Sequence, residues 1–345
     1  MPSISEKQLF EHIKNNSPDR LYFIYGEEQY MKKLCCDRLI AVGCTDFPDL
    51  NLLVMPFETA KTADLYNAVN TCPVLSDRRC VVLDDVDAEK ISSDDFKSYE
   101  DIFKNIPAET VLIVCQTNKA ADFKKSAKWK KLLKLAEKYG SAVEILRRTS
   151  GELASMLTDY AKNRGCKLQK NDAFYLIEIC SVKLSVLYGE LDKLISFTQS
   201  GEITRQAIDS LVIKSTEASV FDLSKRILQR DAEGAFRILN LLLQNREEPV
   251  MILATLSNAF CDVYRAKCAE SNSAKPESIA NDFDYRGREF RLRNAARDSR
   301  NTDLGQAKKC LRVLRDADIT LKSTRSDPAA VLQNVVMELI LAIAR

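Results

Sequence analysis

The sequence predicts an α/β domain with a mostly parallel sheet, followed by two all-α domains. Up to residue 146, five short runs rich in Val, Ile and Leu alternate with segments of helical periodicity. That order is typical of a parallel sheet whose two faces are covered by helices. Beyond residue 146 the strand pattern stops and helical periodicity continues to the end. We therefore predict domains at residues 1–146, 147–213 and 214–345.

The composition is that of a globular protein with enough apolar residues for more than one core. Of 345 residues, 46% are hydrophobic and 29% are charged, and the formal net charge is +2. This small charge argues against a chain that coats nucleic acid, and leaves local basic patches for any such contact. No secretory leader follows Met1, and the longest apolar run, residues 335–344, is too short to cross a bilayer. We expect a cytoplasmic protein without membrane contact.

Eleven cysteines raise the question of disulfides or zinc. None is spaced as C-x-x-C, and His12 is the single histidine. We therefore expect reduced, buried thiols, and neither a metal nor another cofactor.

The predicted N-terminal domain begins with a helix at residues 5–16, where Ser5 and Gln8 have the spacing of a capping box. The five predicted strands are residues 21–25, 50–57, 79–84, 110–116 and 142–146. The helices predicted between them are residues 29–42, 63–70, 94–105 and 122–139.

The first strand, turn and helix come in the order that phosphate-binding loops use. The loop pattern G-x-x-x-x-G-K-[ST] compares here with GEEQYMKK, in which Gly26 and Lys32 keep their places. Met31 replaces the second glycine, where backbone amides must approach phosphate, and Lys33 replaces the hydroxyl that binds Mg²⁺. We predict a degenerate loop without ATP hydrolysis. A plain helix start, with acidic residues favoured by the helix dipole, is the alternative.

The segment NTCPVLSDRRCVVLDDVD, residues 70–87, predicts a helix end, an apolar tip and a buried strand. Pro73 ends the helix, so the apolar side chains of Cys72, Val74 and Leu75 lie on a loop. We call residues 72–75 the tip. Such a tip either packs onto its own domain or, when left exposed, binds in a pocket of another protein.

Asp84, Asp85 and Asp87 follow that strand, at the edge where a nucleotide-binding sheet holds magnesium. Without a working phosphate loop, we interpret these aspartates as structural or vestigial.

The region after residue 146 predicts helices throughout. Thr149 and Glu152 have capping-box spacing, and the helix that follows has one apolar face. Further helices are predicted at residues 172–180, 184–198 and 204–213, and then at 221–229, 231–243, 249–268, 286–300, 302–322 and 327–344. No nucleophile is paired with a base in residues 147–213, so we expect no enzyme site there.

Two local patches are basic. Eight lysines lie between Lys119 and Lys138, and six arginines lie between Arg286 and Arg300. Candidate contacts with DNA phosphates are Lys124, Lys125, Lys128 and Lys131. A solvated helix face is the alternative for the lysines, and ion pairs between subunits are the alternative for the arginines.

Six stretches, in their order and spacing, resemble the delta-subunit family of the bacterial DNA polymerase III clamp loader. They are LYFIYGEEQY (21–30), PVLSDRRCVVLDD (73–85), ETVLIVCQTNKAADFKKSAKWKKL (109–132), YGELDKLISFTQSGEIT (188–204), VFDLSKRILQRDAEGAFRILNLLLQNREEPVMIL (220–253) and DADITLKS (316–323). The resemblance implies an AAA+ (RecA-like) α/β domain that lacks a working phosphate loop, an all-α lid and an all-α collar that joins subunits.

The resemblance also implies a function. Members of this family bind and open the ring-shaped sliding clamp (beta) for loading on primed DNA, together with ATPase subunits (tau or gamma) and delta-prime in a hetero-oligomer. They are non-catalytic subunits of a DNA-directed DNA polymerase, a nucleotidyltransferase. The clamp-binding tip falls on Cys72, Pro73, Val74 and Leu75, with Leu75 as the deep anchor. Cys72 and Val74 are smaller than the residues often found there, which would reduce affinity, and the glycines near Asn245 and Ser323 are absent.

Two other functions stay open on the sequence. An active AAA+ ATPase would show turnover that depends on Lys32, and a DNA-binding helical adaptor would bind duplex tightly without a clamp partner.

Overall fold

The fold is that of a computed structural model, which describes residues 3–117, 126–180, 182–323 and 326–344. The chain forms two compact units, Met1–Arg147 and Arg148–Arg345, which we call the N-terminal unit and the helical unit. The further division of the second unit at residues 213/214 stays a prediction. In the described residues, no helix combines the length and the apolar character that a membrane span requires.

The described residues of the N-terminal unit form alternating helices and strands. In chain order they are α1 (Glu6–Lys14), β1 (Leu21–Gly26), α2 (Gln29–Gly43), α3 (Pro48–Asn51), β2 (Leu52–Pro56), α4 (Thr62–Asn70), β3 (Arg79–Asp84), a 3-10 turn (Ala88–Lys90), α5 (Ser93–Lys104), β4 (Thr110–Cys115), α6 (Ala127–Tyr139) and β5 (Ser141–Ile145). The predicted capping box of α1 is confirmed, because Ser5 and Gln8 bond each other's backbone amides.

The five strands form one parallel sheet in the order β2-β3-β4-β1-β5. The register pairs Leu21 with Leu112 and Arg79 with Thr110. Because all strands are parallel, their carboxyl ends, at Gly26, Asp84 and Cys115, lie at one edge of the sheet. The predicted parallel sheet is confirmed.

Side chains alternate between the two faces of this sheet, so each face has its own core. Phe23, Leu83 and Val114 share one buried cluster with Phe96 of α5 and Trp129 of α6. On the opposite face α2 packs against β1 and β4. Both faces are therefore covered, as the alternation of strands and helices predicts.

One predicted strand begins too early. The sequence predicts a strand over residues 50–57, but β2 starts at Leu52 and is preceded by the single helical turn α3. Pro48 occupies the first turn of α3, where its missing N–H is tolerated. This turn places Phe47 and Leu50 outside the sheet.

The helical unit is mostly helical, as predicted. Its elements are α7 (Ser150–Asn163), β6 (Cys166–Leu168), α8 (Lys170–Ile179), α9 (Leu184–Thr198), β7 (Gly201–Ile203), α10 (Arg205–Leu211), α11 (Thr216–Leu228), α12 (Ala232–Gln244), α13 (Pro249–Ser271), a 3-10 segment (Pro276–Asn281), α14 (Phe290–Asp298), α15 (Leu304–Ser323) and α16 (Pro328–Ala344). The prediction of a wholly α-helical region after residue 146 was wrong in one detail. Strands β6 and β7 pair in parallel, and at three residues each they are too short to show periodicity.

Candidate functional site

The tip lies exposed between α4 and β3. Leu75 is 77% exposed and Val74 is 45% exposed, Cys72 is also exposed, and Pro73 is half-buried. Helix α4 ends at Asn70, and Pro73 cannot donate the N–H that a further turn would need. The sequence allows either a tip packed onto its own domain or an exposed tip. In the structure the side chains of the tip lie in solvent.

The backbone of the tip is held by Asn51, a fully buried residue at the end of α3. Its Oδ1 accepts a hydrogen bond from the Val74 amide at 2.7 Å, and its Nδ2 donates to the Val74 carbonyl at 2.8 Å. The same Nδ2 lies 3.1 Å from the Asp46 carbonyl oxygen and 3.3 Å from that of Phe47. One side-chain amide therefore fixes the tip to the loop before α3.

Sequence reasoning missed Asn51 because it lies inside the predicted strand 50–57. A polar residue at the start of an apolar run is the one hint that the sequence offers. Val74, its partner in the tip, lies 23 residues away along the chain, so no local pattern points to this contact.

Two bulky residues of this region have left-handed backbone conformations. Leu75 has φ = +53° and Phe47 has φ = +48°. For residues with a Cβ this conformation costs roughly 1–2 kcal/mol each. Tertiary contacts hold the strained backbone, since Asn51 bonds the neighbouring Val74 and the Phe47 carbonyl.

The base of the tip is fixed by two arginines. Both Nη atoms of Arg78 donate to Asn16, to Oδ1 and to the carbonyl oxygen, each at 3.2 Å. Arg79 Nη1 donates to the Leu50 carbonyl at 3.0 Å. The tip is therefore an apolar projection on a rigid base.

Exposed apolar side chains of the N-terminal unit are concentrated in the segment of the chain that ends with the tip. Within its described residues, every large hydrophobic side chain that is exposed lies between residues 47 and 75: Phe47, Leu50, Leu53, Val54, Tyr66, Val74 and Leu75.

The loop after Gly26 is closed by hydrogen bonds within the unit. The amides of Glu27 and Glu28 both donate to the carbonyl oxygen of Ile145, at 2.9 and 3.2 Å. Gly26 has φ = +121°, and a Cβ there would lie 2.3 Å from that same oxygen. The retained glycine is thus required by close backbone packing, and the two amides after it are already satisfied.

The other residues of the degenerate loop differ in their exposure to solvent. Met31 is buried, Lys33 is exposed, and Lys32 is only 3% exposed. Burial lowers the pKa of the Lys32 ammonium, and the nearby Cys115 and Asp85 groups oppose this shift. Lys32 is therefore a largely buried side chain.

The aspartates after β3 have structural contacts. Asp84 Oδ1 accepts a hydrogen bond from Thr117 Oγ1 at 2.5 Å, and Asp87 caps the 3-10 turn through the Glu89 amide. Asp85 has φ = +56°. The described residues contain no group of three or more His, Cys, Asp or Glu side chains arranged to hold a metal ion.

The predicted DNA-contact lysines divide into two pairs. Lys124 and Lys125 lie outside the described residues. Lys128 Nζ donates to the carbonyls of Glu89 and Ile91 at 2.7 and 2.9 Å, and Lys131 Nζ lies 4.5 Å from the centre of the Phe96 ring. The two described lysines thus have partners within the unit, and DNA contact by any of the four stays a prediction.

The chain resembles known proteins over most of its length. A family model described as "DNA polymerase III, delta subunit" matches residues 22–145, and one described as "DNA polymerase III delta subunit, C-terminal domain" matches residues 217–339. DNA polymerase III subunit delta of Bacillus subtilis is 23% identical over 341 residues, which are 96% of each chain. A probable DNA polymerase III subunit delta of Aquifex aeolicus is 22% identical over 260 residues, 73% of this chain and 72% of the relative.

A solved structure has the same fold. The Bacillus subtilis DNA clamp loader delta protein matches with a TM-score of 0.65 at 21% identity, over 97% of this chain and 99% of that one. At this identity the match is evidence for the fold alone. It confirms the predicted class, an α/β domain with a parallel sheet followed by helical domains.

Proposed function

Because the chain belongs to the family of DNA polymerase III delta subunits, we propose that it is the non-catalytic clamp-loader subunit that binds and opens the sliding clamp. The tip enters an apolar pocket of the clamp, with Leu75 as the deepest anchor and Val74 and Cys72 beside it. Residues 1–146 act as the clamp-binding AAA+ domain, residues 147–213 as the lid and residues 214–345 as the collar.

One observation carries the proposal: the most exposed large apolar side chain of the described N-terminal unit, Leu75, lies on a backbone that is held in place. Its neighbour Val74 is bonded through both backbone groups to the buried Asn51. A projection that is already ordered loses little conformational entropy on binding, which favours affinity. An ordered apolar projection is therefore well suited to bind in a pocket of the clamp.

Binding energy is the energy that this subunit contributes to opening the clamp. Buried apolar anchors at a well-packed interface contribute roughly 2–4 kcal/mol each. A ligand shifts a two-state equilibrium only by its differential affinity for the two states, and about 5.5 kcal/mol changes a population from 1:99 to 99:1. Two anchors that bind the open form of the clamp but not the closed form would therefore supply about enough free energy to open it.

The partners follow from the family. The chain assembles with ATPase subunits (tau or gamma) and delta-prime in a hetero-oligomer, and the complex loads the clamp (beta) on primed DNA in the cytoplasm. The subunit thereby serves a DNA-directed DNA polymerase without catalysis of its own. The loop that ends in Met31, Lys32 and Lys33 supports a division of labour in which the partner subunits use ATP.

The first test is calorimetric binding of the full chain to the purified sliding clamp of the same organism, without ATP. The wild type is compared with Val74→Ser/Leu75→Ser, for which we expect at least hundredfold weaker binding. The matched control is Val186→Ser/Leu241→Ser, a pair of the same residue types exposed on the helical unit, which we expect to bind like the wild type.

Two outcomes would contradict the proposal: a wild type that does not bind the clamp, or a tip variant that binds as tightly. Steady ATP turnover by the purified chain, lost in Lys32→Ala, would instead support an active AAA+ ATPase. Tight, salt-dependent binding of duplex DNA by the chain alone would support a DNA-binding helical adaptor.

A further inference from the structure

A second pair of apolar side chains projects beside the tip. Phe47 and Leu50, at the two ends of the turn that begins with Pro48, are 54% and 50% exposed. Phe47 has the left-handed conformation φ = +48°, ψ = +61°. Asn or Gly would adopt this backbone with less strain, and each would expose less apolar surface than Phe. Neither burial nor backbone preference explains a phenylalanine here.

Hydrogen bonds join this pair to the tip as one rigid surface. The carbonyls of Phe47 and Val74 face the same nitrogen, Asn51 Nδ2, at 3.3 and 2.8 Å. The Leu50 carbonyl accepts from Arg79, the first residue of the strand that follows the tip. The two apolar projections therefore share one buried support and cannot move independently without breaking it.

The tip alone is small for a specific protein interface. Such an interface covers roughly 800 Å² on each partner, whereas one large aromatic side chain buries roughly 150–250 Å². Val74 and Leu75 supply only part of that area. Phe47 and Leu50 also belong to the exposed apolar residues between positions 47 and 75. They therefore enlarge the apolar surface that the tip begins.

We infer that Phe47 and Leu50 form a second contact with the sliding clamp that receives the tip. The inference rests on the proposed function, because it assigns these residues to the same partner. The pocket takes Leu75 and Val74, and the neighbouring clamp surface covers Phe47 and Leu50. The strain at Phe47 then has a reason: the left-handed residue directs an aromatic side chain toward the partner.

The test uses the full chain and the purified clamp in the calorimetric assay. For Phe47→Asn/Leu50→Gln we expect at least tenfold weaker binding, because a large aromatic and a large aliphatic contact are lost. Asn tolerates the left-handed backbone, so we expect the thermal midpoint of Phe47→Asn to equal or exceed that of the wild type. The matched control is Phe197→Gln, which replaces a phenylalanine that is 62% exposed on α9; its binding should be unchanged.

The outcomes separate this inference from the proposed function. If the wild type binds, the tip variant does not, and Phe47→Asn/Leu50→Gln binds within twofold of the wild type, the second contact is wrong and the proposed function stands. If the wild type does not bind the clamp, both the second contact and the proposed function are wrong.

A measurement on the wild type avoids dependence on variants that fold poorly. Hydrogen exchange of the chain with and without clamp should show protection at residues 47–54 as well as at the tip. Protection confined to the tip overturns the inference. A dimer of the chain alone that Phe47→Asn dissociates would also overturn it, since a second copy would then cover this surface.

Discussion

Strained and buried single residues lie next to the exposed tip. Asn51 has no exposed surface, although amides are usually exposed, and its hydrogen-bonding groups meet the backbone of two loops. Phe47 and Leu75 keep left-handed conformations that cost free energy in the isolated chain. Together these residues order the backbone of the exposed apolar tip.

We expect Asn51→Ala to weaken clamp binding about tenfold and to lower the free energy of unfolding by about 2 kcal/mol. The substitution leaves the Val74 amide and carbonyl without their partner, and each unsatisfied buried group costs roughly 1–3 kcal/mol. Calorimetric binding and chemical denaturation measure the two effects.

The matched control is Asn105→Ala, which removes an exposed amide whose Nδ2 bonds the Asp101 carbonyl at the end of α5. It should change clamp binding by less than twofold. If Asn51→Ala bound the clamp with wild-type affinity, the ordering of the tip by Asn51 would have no bearing on docking.

Gly26 has a structural reason for being glycine that does not depend on a ligand. In a phosphate loop the first glycine lets backbone amides approach a ligand. Here those amides bond the Ile145 carbonyl, and a Cβ at residue 26 would collide with the same peptide. Contact between two strand ends therefore explains the glycine without a nucleotide.

At the scale of elements, short capping patterns fix where helices begin. Thr149 starts α7 with a reciprocal box, in which its hydroxyl accepts from the Glu152 amide and the Glu152 carboxylate accepts from the Thr149 amide. That backbone hydrogen bond, with further help from the Thr149 hydroxyl and Arg148, holds the pKa of Glu152 below its usual 4.5. The predicted box is confirmed.

We expect Thr149→Ala to destabilise α7 by about 1 kcal/mol at pH 7, since a side-chain cap is lost. Hydrogen exchange of the α7 amides measures this without assuming that the whole chain unfolds in one step. The matched control is Thr158→Ala in the middle of α7, whose hydroxyl bonds the Ser155 carbonyl; it should cost less, because alanine favours helix.

The same box gives a pH dependence with a definite sign. The folded-state pKa of Glu152 lies below its unfolded value, so its contribution is fully present above about pH 4.5 and is lost as the pH falls through the folded-state pKa. The difference in α7 exchange between wild type and Glu152→Gln should therefore shrink on acidification. A difference that grew at low pH would contradict the assignment.

At the scale of the whole molecule, each unit has its own hydrophobic core. In the helical unit, one large core joins residues of α11, α12, α13, α15 and α16. Helix α16 is apolar on more than one side: Val336 and Leu339 are buried in this core, whereas Met337 and Leu341 are exposed one turn apart. A helix with apolar residues beyond its buried face is suited to contact with another subunit.

We expect Met337→Gln/Leu341→Gln to reduce incorporation of the chain into a complex with the ATPase subunits and delta-prime by about tenfold. The exposed apolar face of α16 is lost, while the residues that face the core are retained. Size-exclusion chromatography of mixed purified subunits measures the effect. Clamp binding by this variant alone should stay at the wild-type level.

The tip variant provides the reciprocal control. Val74→Ser/Leu75→Ser should assemble normally and fail only in clamp binding. If both variants lost both activities, docking and assembly would not be carried by separate surfaces.

Features that depend on residues close together in the chain could be predicted from the amino-acid sequence. Short apolar runs located all five strands of the parallel sheet, helical periodicity located the apolar helix faces, capping residues marked the starts of α1 and α7, and Pro73 marked an apolar tip. The resemblance of ordered stretches indicated the family. These features could be predicted because an apolar run, a period of 3.6 residues, or a cap three residues from its partner lies within a short stretch of the sequence.

Features that depend on partners far apart in the chain became visible in the folded structure. The Asn51 side chain reaches Val74 across 23 residues, the amides after Gly26 reach Ile145 of β5, and β6 reaches β7. The left-handed backbone of Phe47 and Leu75 is likewise set by contacts rather than by preference. A hydrogen bond between remote segments forms only once the cores have brought them together, so no local pattern records it.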